Sequence, residues 1–206
     1  MTAEKIGIDR DNYLSILKNF KDQQIIKVIS GIRRCGKSTL LEIYQDYLIN
    51  NGVSKNQIIS INFENADYEE LQDRKKLYEY IKSKLVKGKK TYIFLDEIQN
   101  VYEFEKTVNS LFINKEVDLY ITGSNAYLLS SELATLLTGR YIEIKMLPLS
   151  FKEYISAFDT QTDISRKFRD HLRYSSFPQA VELYKINPEN INLSLDGIYN
   201  TILFKC

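Results

Sequence analysis

Cysteine and histidine are scarce in this chain of 206 residues, with two of the first and one of the second. Cys35 lies in a glycine-flanked stretch and Cys206 at the far end of the sequence. A disulfide framework is therefore not expected, and two free thiols fit a reducing compartment. The single histidine, His171, lies between Phe168 and Leu172 at helical spacing. It has no second imidazole to complete a metal or catalytic pair, so neither role is expected of it. No apolar run approaches the roughly 20 residues of a spanning helix. Met1-Thr2-Ala3-Glu4-Lys5 lacks the basic-then-apolar plan of a secretion signal, and the expectation is a cytoplasmic protein with no membrane partner. Excess charge is missing too: 28 basic against 27 acidic side chains leave a net charge of +1. That balance supplies no global electrostatic argument for nucleic acid or an anionic surface. Internal repeats and low-complexity stretches are also absent.

What is present suits one α/β domain plus a small extra module, with an ordinary apolar fraction of 44%. Short apolar strands over 25–30, 58–63, 91–95, 117–122 and 141–145 alternate with helical spacing over 11–20, 40–49, 69–86, 104–112 and 126–137. Alternation of this kind implies a parallel sheet with helices on both faces. Beyond residue 147 the pattern turns helical. Ser150-Phe151-Lys152-Glu153 is a capping box, and Asn187-Pro188-Glu189 is an N-cap with proline in the first turn. The chain is thus expected to divide into a core over 1–147 and a helical lid or small domain over 148–206.

The strongest local pattern is Gly31-Ile32-Arg33-Arg34-Cys35-Gly36-Lys37-Ser38-Thr39, which follows the first strand and opens a helix. It is a complete G-x-x-x-x-G-K-S/T phosphate-binding loop. The glycines allow a tight backbone curl with successive N–H groups aimed into one cavity. Lys37 can reach the β- and γ-phosphates and the Ser38 hydroxyl can ligate Mg²⁺, while the helix places its positive end against the phosphates. Cys35 reads as a small filler of the loop. A bound nucleoside triphosphate is the expectation.

The third strand ends Tyr92-Ile93-Phe94-Leu95-Asp96-Glu97. Its apolar run suits a strand covered on both faces, and the ligand-facing end of such a sheet is the carboxyl end of its strands. There Asp96 can hold Mg²⁺, directly or through water. Glu97, one residue on, can orient and deprotonate an attacking water, which favours hydrolysis over transfer to an acceptor. The fourth strand runs into Thr122-Gly123-Ser124-Asn125. Ser124, then Asn125, could hold the lytic water if this strand lies between the first and third, but both residue types are also favoured helix N-caps. Arg140 could act as an arginine finger or be a surface arginine at a turn. Glu64 reads as an ordinary loop acid. The Lys/Arg-rich stretch 74–90 reads as a solvated helix face more than a nucleic-acid patch.

Together these residues resemble a prokaryotic family of AAA-superfamily ATPases, often described as archaeal-type ATP-binding proteins. The resemblance rests on the G-I-R-R-x-G-K-S-T loop, Asp96-Glu97-Ile98-Gln99, Thr122-Gly123-Ser124, Leu137-Thr138-Gly139-Arg140 and Pro148-Leu149-Ser150-Phe151-Lys152-Glu153-Tyr154. Ile8-Asp9-Arg10 with Tyr13 also fits. The resemblance implies a five-stranded sheet ordered 5-1-4-3-2, with the fourth strand between the two nucleotide motifs. It implies Mg-ATP as ligand and an Arg140 contact to ATP, within the chain or from a neighbouring subunit of a homo-oligomer. Members usually carry a glycine pair before Phe-Pro, whereas this chain has Tyr174-Ser175-Ser176-Phe177-Pro178. They also continue into a winged-helix-like segment and a nuclease-like domain, so a protein or nucleic-acid partner would engage a part absent here. The sequence reading is ATP hydrolysis driving a conformational change. The alternatives are an ATP-gated switch with negligible turnover and a nucleic-acid-associated module.

Overall fold

The computed structural model describes residues 8, 10–123, 137, 139–158, 163–174, 176–186, 191, 195 and 197. Apart from Leu137, the helix expected over 126–137 lies outside the described residues, as does the cap at Asn187-Pro188-Glu189. The chain forms two compact units. The larger comprises Asn12–Gly31 and Lys37–Met146; the smaller comprises Met1–Asp11, Ile32–Gly36 and Leu147–Cys206.

Five strands form the sheet of the larger unit: β1 (Ile26–Gly31), β2 (Ile58–Asn62), β3 (Thr91–Asp96), β4 (Val117–Gly123) and β5 (Tyr141–Met146). All pair in parallel, in the order β2-β3-β4-β1-β5, which is the expected order read from the other edge. Every residue of β1, β3 and β4 is buried, whereas the edge strands β2 and β5 are mixed. Inner strands are covered on both faces, so they need apolar side chains at odd and even positions alike.

Successive side chains of a strand point to opposite faces. Ile93 and Leu95 of β3 join one core with Ile121 of β4, Leu77 and Ile81 of α3 (Arg74–Lys84), and Val108 and Leu111 of α4 (Phe104–Phe112). Phe94 stacks instead on Tyr120 with ring centroids 4.8 Å apart, and both rings meet Tyr44 of α2 (Lys37–Asn50). The Tyr44 hydroxyl donates to the Leu17 carbonyl of α1 (Asp11–Asn19) at 3.2 Å.

The single helix expected over 69–86 is instead two pieces, a 3₁₀ turn over Ala66–Gln72 and then α3. Asp73 divides them. Its carboxylate accepts from the Lys75 and Lys76 amides at 2.9 and 3.0 Å, restarting the helix as an N-cap. In this region Arg74 pairs with Glu103 at 2.9 Å, and Lys82 and Lys84 lie over the rings of Tyr78 and Tyr80.

The smaller unit contains α5 (Phe151–Ser156), α6 (Ile164–Tyr174) and α7 (Pro178–Ile186). The Ser150 capping box is formed: Ser150 Oγ accepts from the Glu153 amide at 3.3 Å, and Glu153 Oε2 accepts from the Ser150 amide at 2.7 Å. Leu149, Tyr154, Ala157 and Val181 are the buried core here. The His171 ring sits against Tyr154 and Phe151, with centroids 4.9 and 5.6 Å away.

Candidate nucleotide-binding site

The parallel register sets the carboxyl ends of three inner strands side by side. Ile29 of β1 is level with Thr122 of β4, and Leu95 of β3 with Ile121. The residues that follow, Gly31, Asp96 and Gly123, therefore open onto one end of the sheet, the usual ligand end.

Between β1 and α2, residues 32–36 form the loop. Two of its residues take left-handed backbone, Arg34 with φ 67° and Gly36 with φ 99°. Glycine adopts that region freely and arginine does not. A strained Arg34 was not legible in the sequence. Cys35 is fully buried, as a loop filler would be.

Lys37, the first residue of α2, is only 4% exposed. Its ammonium donates back to the Gly31 carbonyl at 3.2 Å, curling over the loop's entry, and lies 3.4 Å from Glu97 Oε1. Asp96, the last residue of β3, is 6% exposed and densely bonded. It accepts from the Thr122 hydroxyl, from the Asn62 amide at 3.0 Å and from the Ser38 hydroxyl. Burial pushes its carboxyl up from the ordinary range, while the Ser38 and Thr122 bonds oppose the shift.

Glu97 leaves the strand in left-handed backbone, φ 54°. Non-glycine residues hold such geometry only where their surroundings enforce it, and such strain gathers at functional positions. Here the Glu97 backbone N–H donates to Thr122 Oγ1 at 2.9 Å, and the Gln99 side-chain Nε2 donates to Glu97 Oε2 at 2.5 Å. Thr122 therefore receives a bond from Glu97 and gives one to Asp96, holding the two acids in a set relation.

Lys37, Ser38, Asp96 and Glu97 are brought together as the sequence implied. Ser124 and Asn125 lie outside the described residues. Glu64 is exposed. Arg140 is a correction to the within-chain reading. Its carbonyl accepts from the amide of Ile26, the first residue of β1, and its guanidinium bonds Asn109 Oδ1 at 2.6 Å beside the Phe112 ring. It therefore sits at the amino ends of the strands, a strand length of roughly 16 Å from Gly31. Three contributors were missed: Thr122, Asn62 and Gln99. The first two stand at or next to the carboxyl ends of their strands, which is the local signal they carry.

Hard oxygen donors on Ser38 and Asp96 fit Mg²⁺, which takes one or two protein oxygens and completes its shell with phosphates and water. Among the described residues no group of three or more His, Cys, Asp or Glu could hold a metal ion by itself.

A family model described as an AAA domain matches residues 23–155. The chain belongs to the AAA-domain family. It is 44% identical over 203 residues to an uncharacterized protein of Haemophilus influenzae, covering 97% of this chain and 50% of that protein. It is 32% identical over 212 residues to an uncharacterized protein of Methanocaldococcus jannaschii, covering 93% and 44%. The chain thus spans about half the length of the curated relatives it matches. Among solved structures, a Walker-type ATPase of Pyrococcus abyssi superposes with TM-score 0.66 at 15% identity, over 96% of this chain and 75% of that one. AMPPCP-bound DnaA of Aquifex aeolicus gives 0.56 at 15% identity, over 87% and 62%. At that identity the likeness speaks for the fold. Among the described residues no helix is long and apolar enough to cross a membrane.

Proposed function

We propose that this AAA domain binds Mg-ATP at residues 31–39 and hydrolyses it, with turnover driving a conformational change in an attached or partner module. The observation that carries this reading is the convergence of Lys37, Ser38, Asp96 and Glu97, joined through Thr122, at the carboxyl ends of β1, β3 and β4.

The loop amides and Lys37 hold the phosphates by charge and hydrogen bonding. Ser38 and Asp96 hold Mg²⁺, which when bound neutralises charge on the phosphate oxygens. Lys37 is engaged with Glu97. A γ-phosphate competes for the ammonium, and Glu97 is then released to take a proton from water. Ser124 is assigned to position that water. Arg140, at the other end of the sheet, is assigned to complete the site of a neighbouring copy. Cys35, buried and not in a disulfide, supports a cytoplasmic setting. Residues 148–206 are assigned as a helical lid or small domain, and protein or nucleic-acid partners to the part that the relatives carry beyond this span.

Steady-state ATP hydrolysis with Mg²⁺, native chain against Glu97→Gln, tests the proposal. Turnover lost in the variant with ATP binding kept supports it; equal turnover in both sinks Glu97 as base. The Lys37–Glu97 pair, which engages the base, favours one second reading, an ATP-gated switch. Tight binding with no turnover in either protein would select it.

A further inference from the structure

Arg10 lies outside the phosphate loop in sequence, yet it is 8% exposed and bonded to three separated segments. Its Nη2 donates to the Cys35 carbonyl at 3.0 Å, and its Nη1 donates to the Leu147 carbonyl and to Glu153 Oε1, each at 3.1 Å. Cys35 stands between the two left-handed residues of the loop, Arg34 and Gly36. A trans peptide is planar, so the Cys35 carbonyl and the Gly36 N–H point in opposite directions. A guanidinium that holds the carbonyl therefore aims the N–H. In a phosphate loop that N–H is one of the anion donors.

The other end of the arginine reaches a helix start. Glu153 gives one carboxylate oxygen to Arg10 and the other to the Ser150 amide and hydroxyl, the cap of α5. The pair is largely shielded, with side chains 7% and 14% exposed, so the bonds are charge-assisted with little screening. A second link runs parallel: Arg34 Nη1 donates to Gln179 Oε1 at 3.1 Å, in the first turn of α7. All these residues belong to the smaller unit, which includes loop residues Ile32–Gly36 with the helices.

We propose that Arg10 is a positioning residue for the phosphate loop: it orients the Cys35–Gly36 peptide for phosphate binding and transmits the loop's occupancy through Glu153 to the cap of α5. The proposal rests on nucleotide binding at residues 31–39. Phosphate drawing on the Gly36 N–H pulls the same peptide that Arg10 holds, and the planar fork ties that movement to Glu153.

The test uses the full chain carrying Cys206→Ser, so that Cys35 is the single thiol. Three quantities are read for it and for its Arg10→Gln, Arg10→Lys and Glu153→Gln versions: the alkylation rate of Cys35 without nucleotide, the ATP Kd, and hydrogen exchange of the 151–156 amides with and without ATP. Loss of a buried charge-assisted bond sets the scale. Arg10→Gln is expected to speed alkylation and weaken ATP binding, each by about tenfold. Glu153→Gln, which leaves the Cys35 bond in place, is expected to hold Kd within about threefold while abolishing the ATP-dependent change in exchange. Arg10→Lys, which keeps the charge and loses the fork, falls between and carries the test if Arg10→Gln does not fold. Native alkylation and native Kd in both Arg10 variants overturn the proposal. A parent that binds no ATP overturns the nucleotide reading instead. The alkylation rates then decide the brace by themselves: faster labelling upholds Arg10 as the residue that holds the loop, and unchanged labelling removes it.

Discussion

Two lysine–carboxylate pairs lie at opposite ends of the sheet, and they differ in length and in backbone strain. At the amino ends, Lys27 meets Asp118 at 2.5 Å with both side chains wholly buried. The Gln23 carbonyl also takes a bond from Lys27, and the Asp22 amide and Tyr120 hydroxyl give bonds to Asp118. At the carboxyl ends, Lys37 faces Glu97 at 3.4 Å, with Glu97 partly open to solvent and in left-handed backbone. The first pair is closed by its neighbours. The second is longer, and its carboxylate sits on left-handed backbone, which suits a pair that exchanges partners when an anion arrives. Each lysine also donates to a backbone carbonyl, so length and backbone strain, not burial, set the second pair apart.

The comparison breaks most sharply at Asp118. Asp118→Asn leaves the Lys27 ammonium buried without its counter-charge, and a loss of about 3–5 kcal/mol in chemical denaturation is expected. Burial already pushes the Lys27 ammonium down from its ordinary value, with Asp118 opposing. In the variant the unfolded chain holds this proton more tightly than the folded one, so stability rises with pH up to the unfolded value near ~10.4. Destabilisation that does not ease between neutral and alkaline pH would remove the charge explanation.

At the other pair the effect moves from stability to turnover. Glu97→Gln is expected to keep the melting temperature near native while lowering ATP hydrolysis about 10²–10⁴-fold. A smaller effect belongs to Lys37→Ala, which removes a charge-assisted phosphate contact and is expected to weaken ATP binding about tenfold or more, read by calorimetry. Native affinity in that variant would sink the phosphate-loop reading.

The smallest shift sharpens the contrast by sign. The raised Asp96 carboxyl binds its proton more tightly folded than unfolded, so its contribution to stability falls as pH rises from the unfolded carboxylate value through the raised one. Asp96→Asn is therefore expected to melt no lower than the native chain at neutral pH, while Mg²⁺ ceases to strengthen ATP binding. A clear drop in melting temperature would mean that Asp96 is held for structure.

Much of this was readable because inner parallel strands must be apolar on both faces, which makes runs such as Tyr92-Ile93-Phe94-Leu95 conspicuous. The Gly31 to Thr39 spacing and the Asp96-Glu97 step were legible for the same reason, each being short and local. Asp73 escaped because an N-cap inside a charged stretch looks like one more surface acid until its bonds to Lys75 and Lys76 are seen. Thr122 escaped because its role depends on two strands lying side by side in one register.

The amino-acid order by itself determined the periodicities, the phosphate loop and its acids, since these rest on neighbours a few residues apart. Only the tertiary structure decided that Arg140 stands at the far end of the sheet and that Thr122 joins Asp96 to Glu97. Those relations are set by strand order and register, and contacts separated by tens of residues leave no local pattern in the chain.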